Sequence, residues 1–160
     1  MTPRIDHARV APGAMQAMMA VETYARQSGL DHGLLDLVKL RASYMNGCAY
    51  CVDMHTKEAR ARGETEQRLY GVAVWHDTPF YSPRERTALA WTEAVTRLAP
   101  GGIPDALFEE AKAEFGEEAL VQLTMAIVAI NGWNRLSIAF LPEVGSYQAP
   151  GNPRQATASH

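Results

Sequence analysis

Apolar positions recur at helical spacing along most of the chain, and the interruptions fall at glycine and proline. From Gly13 the set Met15, Met18, Met19 and Tyr24 marks a helix to about Gln27, ended by Gly29. Asp31 is an N-cap for a second helix, in which Leu34, Leu37, Val38, Leu40 and Arg41 run towards Met45. A third spans about 48 to 62 and stops at Gly63. Glu64, Thr65 and Glu66 open a fourth through Leu69, Val72 and Trp75, with acidic groups at the positive end of the helix dipole. His76 to Pro79 breaks that pattern. Ser82-Pro83-Arg84-Glu85 then joins an N-cap serine, a proline at the first helical position and the glutamate of a capping box, the clearest helix start in the chain. That helix runs to about Leu98, and a shorter one from Pro104 to Phe115 stops at Gly116.

The last helix, about 117 to 140, is apolar nearly all round and must be covered on most sides. Its longest uncharged run, Ala119 to Asn134, is 16 residues, short of the roughly 18 of a membrane span. One domain of this size has limited means of covering such a helix, so a subunit interface is expected. No strand alternation is present. The expected architecture is all-α with six to seven helices: a polar lead-in over 1–12, a helical domain over 13–141, and a proline-bearing tail over 142–160 that is mobile or laid over a neighbour. The methionine face of the first helix reads as plastic core packing in preference to an adaptable pocket wall.

Composition narrows the function. With 160 residues the chain buries roughly 70% of its unfolded surface as one domain. A net charge of −3 and the lack of a basic block argue against nucleic-acid binding. The N-terminus lacks the apolar stretch of a signal peptide, which makes the cytoplasm the default expectation. Both cysteines lie three residues apart, too close to staple a fold, so they read as redox or metal chemistry in a reducing compartment.

Those cysteines sit in Asn46-Gly47-Cys48-Ala49-Tyr50-Cys51-Val52-Asp53-Met54-His55. Asn46-Gly47 is a turn signal, which places Cys48 and Cys51 in the first turn of a helix. There the Cα atoms lie roughly 5 Å apart, inside the disulfide window, and the dipole and free N–H groups favour a thiolate. His55, one turn past Cys51 on the same face, can reach its sulfur. Cys51 is accordingly the choice for the attacking thiolate, partly exposed in that first turn, and Cys48 for the resolving thiol. The bland alternatives are buried structural cysteines and a surface histidine.

This run, with Leu37-Val38-Lys39-Leu40-Arg41-Ala42-Ser43 before it and Glu85 to Trp91 and Ala129 to Leu136 after it, resembles the alkylhydroperoxidase D core of the carboxymuconolactone decarboxylase-like superfamily over about residues 10 to 141. The resemblance implies an oligomeric helical fold, a trimer or hexamer, and a thiol-dependent hydroperoxide reductase of antioxidant defence. Cys51 would reduce a peroxide with His55 taking its proton, Cys48 would close the disulfide, and a lipoyl or thioredoxin-like dithiol would recharge the pair. No cofactor, metal or membrane is implied.

Asp36, twelve residues before Cys48, stands where the resembled family usually carries the glutamate of its proton relay. This chain departs there by one methylene, and Glu58 is a second candidate. Tyr50, where some relatives have histidine, reads as packing or site lining; His76 as a turn residue; Trp75, Trp91 and Trp133 as core or interface; Asn131 and Arg135 as partners of buried polar groups near an interface. Competing classes are a zinc site of Cys48, Cys51 and His55 completed by Asp36 or His76, a non-catalytic oligomeric binder, and a decarboxylase-like enzyme of the same superfamily.

Overall fold

The computed structural model describes residues 3–150, and among them it contains seven α-helices and no strand. The helices are α1 (His7–Val10), α2 (Pro12–Arg26), α3 (His32–Asn46), α4 (Ala49–Ala61), α5 (Glu66–Gly71), α6 (Pro83–Arg97) and α7 (Asp105–Phe140), with a 3-10 turn over Val72–Asp77. Gly116, at φ 75° and ψ 170°, breaks α7 into two helical pieces, which is the stop expected there. The caps read from the sequence are present. Asp31 accepts from the Leu34 N–H at 2.9 Å, and Ser82 and Glu85 form the reciprocal box. Helix α1 falls in what the sequence presents as a polar lead-in, a single turn capped by Asp6.

Helix α3 is the central element, packed against α4, α6 and α7. Its Leu34, Leu35 and Val38 meet Ala88, Trp91, Leu123 and Ile127 on one side. Its Leu37 and Leu40 meet Ala59, Leu69, Val72, Trp75 and Leu89 on the other. A helix buried from two sides has little amphipathic contrast, and α3 holds Asp36 and Lys39 buried among these leucines.

The last helix keeps part of its apolar surface in solvent, with Val121 59%, Val128 48% and Ile138 42% exposed. Among the described residues no helix is long and apolar enough to cross a membrane. Two expectations are corrected. Helix α2 buries only Ala25, and its Met15 and Met19 border a cavity, so the methionine face is largely a pocket wall. The first part of the C-terminal tail, 142–150, is laid over α4 of its own chain: Lys57 Nζ donates to the Gly145 and Tyr147 carbonyls at 3.2 and 3.0 Å, and the Gly145 N–H to Asp53 at 3.2 Å. The expectation for 151–160 lies outside the described residues.

Candidate active site

The turn into the cysteine helix is built before the cysteines are reached. Gly47 takes φ 68°, a left-handed conformation that costs most side chains about 1 kcal/mol or more. In that conformation the Cys48 N–H returns to the Ser43 carbonyl at 3.0 Å and the Gly47 N–H to Tyr44 at 3.2 Å, closing the end of α3. Asn46 Nδ2 then donates to Asn131 and Asn134 of α7 at 2.9 and 2.8 Å. Fully buried Asn134 donates in turn to Ser43 at 3.1 Å. Asn131 thus bonds to half-buried Asn46 and to Thr96, whereas Arg135 bonds only to Asn131, in solvent. Asn134 is a fixing residue that the sequence did not single out.

Cys48 follows as the N-cap of α4, its sulfur accepting from the Cys51 N–H at 3.3 Å. The two cysteines are joined as a disulfide with Cα atoms 5.4 Å apart, close to the roughly 5 Å expected from helical rise. Both pack against Ile130 and Ala42, with Tyr50 and Trp133 alongside. Each is 1% exposed, which corrects the expectation of a partly exposed Cys51. Burial differs from access here, because Cys51 borders a cavity of about 450 Å³ and Cys48 does not.

His55 borders the same cavity, one turn along α4 and 3% exposed. Its Nδ1 meets Glu58 Oε2 at 3.2 Å, while Nε2 is buried and has no hydrogen-bond partner among the described residues. The carboxylate beside the histidine is therefore Glu58. Asp36 also lines the cavity, but both of its oxygens accept from Arg62, Oδ2 from Nε at 2.7 Å and Oδ1 from Nη2. The sequence suggested Asp36 ahead of Glu58; in the structure Glu58 is the one that meets the histidine, while Asp36 meets Arg62, the C-cap residue of α4.

Glu58 is the most strongly perturbed carboxylate of the site. Burial raises its pKa, but hydrogen bonds from His55 and Tyr147, with the charges of His55 and Arg62, outweigh that and bring it down to about 2. Tyr147 donates to Glu58 Oε1 at 2.6 Å, and its own pKa is raised, first by burial and then by that carboxylate. A second buried ion pair, Lys39 with Glu22, stands across the cavity, and Trp133 Nε1 donates to Glu22 at 3.3 Å. The signal for Lys39 is visible in the sequence as a lysine set in the apolar run Leu37-Val38-Lys39-Leu40.

Tyr50 and Trp133 line the cavity, whereas Trp75 and Trp91 are core. His76 stacks on Trp75 and meets Glu93 at 3.3 Å, away from the cysteines. Among the described residues no group of three histidine, cysteine or acidic side chains is arranged to hold a metal ion.

Residues 12–94 match the model of the carboxymuconolactone decarboxylase family. YdfG, an uncharacterized protein of Bacillus subtilis (strain 168), is 43% identical over 139 residues, covering 87% of this chain and 95% of that one. ATU0492 of Agrobacterium tumefaciens, a protein of unknown function proposed as the antioxidant defence protein AhpD, superposes with a TM-score of 0.87 at 45% identity, covering 91% of this chain and 100% of the other. The debrominase Bmp8 in complex with 2,3,4-tribromopyrrole gives a TM-score of 0.75 at 19% identity, covering 85% and 73%, and so shares the fold alone. With the cysteine turn and the helices around it matching over this length, the chain belongs to the carboxymuconolactone decarboxylase family, as an alkylhydroperoxidase D-like member.

Proposed function

We propose that the protein is a thiol-dependent hydroperoxide reductase in which Cys51 attacks and Cys48 resolves. The observation that carries this reading is that Cys51 and His55, whose buried Nε2 has no partner among the described residues, border one cavity, with Cys48 bonded to Cys51 and not bordering it. In the reduced protein Nε2 takes the Cys51 proton, while Glu58 accepts at Nδ1 and holds the ring in the required tautomer. The thiolate attacks the terminal peroxide oxygen, the O–O bond breaks, and the alkoxide leaves as an alcohol with the proton that His55 carried. Cys51 is then a sulfenic acid. The Cys48 thiol attacks its sulfur, water leaves, and the disulfide forms. Two thiols of an external reductant, of lipoyl or thioredoxin-like chemistry, restore the pair by exchange.

The cavity walls favour an organic hydroperoxide. Met15, Met19, Leu35, Met54 and Trp133 offer an apolar surface in a volume suited to a small organic molecule. The homo-oligomer implied by the resemblance is part of the proposal, supported by the apolar residues that α7 leaves in solvent. The deciding experiment treats reduced protein with one equivalent of cumene hydroperoxide and reads intact mass. Loss of two hydrogens per chain, reversed by a dithiol, is the expected result; thiols that survive the peroxide would overturn the reading.

A further inference from the structure

The C-terminal strap places a phenol on the site from outside the family-matched segment, 89 residues from the carboxylate it meets. Its backbone is held against α4 by Lys57, which is itself fixed by Asp53 at 2.8 Å, and by the Gly145 N–H bond to the same Asp53. The Tyr147 ring turns inward from that anchor and borders the cavity beside Cys51 and His55.

We propose that Tyr147 is a positioning residue for the histidine, acting through Glu58. The inference rests on the reading of His55 as the group that takes the Cys51 proton. A carboxylate can offer either oxygen, and a glutamate side chain has three torsions to settle. Tyr147 takes Oε1 at 2.6 Å, which leaves Oε2 aimed at His55 Nδ1 at 3.2 Å. The competing donor, Arg62, stands 3.7 Å from Oε2 and spends its hydrogen bonds on Asp36. Tyr147 is therefore the group that decides which way Glu58 faces. Holding Oε2 on Nδ1 keeps the hydrogen there and leaves the buried, unpartnered Nε2 as the basic nitrogen. Of the other cavity charges, Lys39 pairs with Glu22 and Arg62 with Asp36, while His7 stands on α1, Arg26 on α2 and His32 at the start of α3.

The test is Tyr147→Phe in the full chain, with folding checked by circular dichroism, and two readouts on reduced protein. Long-range proton–nitrogen correlation of the His55 ring reports the tautomer, and the rate of Cys51 alkylation by iodoacetamide at neutral pH, measured in a Cys48→Ser background, reports the thiolate. The expected result is a wild-type ring held as the Nδ1–H form, a mixed population in Tyr147→Phe, and alkylation about tenfold slower, the size of one hydrogen bond to a charged group. In a Glu58→Gln background the same substitution should add nothing, since its route is gone. An unchanged tautomer and rate, or an equal slowing in the Glu58→Gln background, would overturn the proposal. Neither readout involves a peroxide, so a protein that consumes none would sink the proposed activity and leave this inference to stand or fall by itself.

Discussion

Arg62 closes on both oxygens of Asp36, so two carboxylates that line one cavity have different partners. Glu58 faces the histidine and Asp36 faces a guanidinium. Glu58→Gln should lower kcat/KM for an organic hydroperoxide by about a hundredfold, the lower end of what a general base supplies. Asp36→Asn should cost less than about tenfold, by freeing Arg62 to compete for Glu58. The opposite order would return the relay to Asp36.

The two cysteines should separate cleanly by substitution. Cys51→Ser should abolish peroxide consumption. Cys48→Ser should still react once and stop as a sulfenic acid, which a dimedone adduct at Cys51 would record by mass. Adducts at Cys48, or equal turnover in the two variants, would contradict the assignment.

Glu58 also ties stability to pH. Its pKa falls from 4.5 to about 2 on folding, so the unfolded chain takes up the proton first as pH drops. Its contribution is complete above about 4.5 and is lost as pH falls towards 2; the shift corresponds to about 3 kcal/mol before solvent screening of this partly exposed group, and less after it. Urea midpoints for wild type and Glu58→Gln should therefore differ at about pH 6 and converge through that acid window. A constant gap would mean that the carboxylate is not held in this way.

The left-handed turn before the cysteines carries its own test. Nothing crowds a Cβ at Gly47, so Gly47→Ala pays only for its φ of 68°, about 1 to 2 kcal/mol. That corresponds to a melting point lower by roughly 3 to 6 °C for a chain of this size. An unchanged melting point would show that the turn relaxes at no cost.

Val121 and Val128 lie seven residues apart, on one face of α7, and both are about half exposed. Light scattering should find a homo-oligomer, and Val128→Glu should shift it towards monomer. A wild-type monomer would remove the assembly from the proposal.

The parts of this fold that were legible in the sequence are the ones written locally. Asp31, Ser82 with Glu85, Gly47 and Gly116 each act within a few residues, and each does in three dimensions what its chemistry suggests. The Cys48, Cys51 and His55 spacing is of the same kind. What was not legible depends on distant partners. The choice between Asp36 and Glu58 turns on Arg62, 26 residues from Asp36. The role of the methionines turns on a cavity lined by α1, α2, α3, α4, α7 and the strap. An apolar stripe looks the same whether it meets a core or a pocket, and no local pattern announced that Tyr147 returns to α4.

Cys51 borders the cavity and Cys48 does not, which gives the disulfide a front and a back. In the proposed cycle a thiol arriving through the cavity would meet Cys51, and Cys48 would be the sulfur displaced. On the proposed function, reduction would thus have one direction of attack, with a donor thiol linked to Cys51 before it is released. With Cys48 replaced by serine there is no disulfide to reduce, and the Cys51 sulfenic acid of the proposed cycle would instead condense with a donor thiol, releasing water. A dithiol donor whose second thiol is also replaced would then stay attached to Cys51, because nothing is left to discharge it.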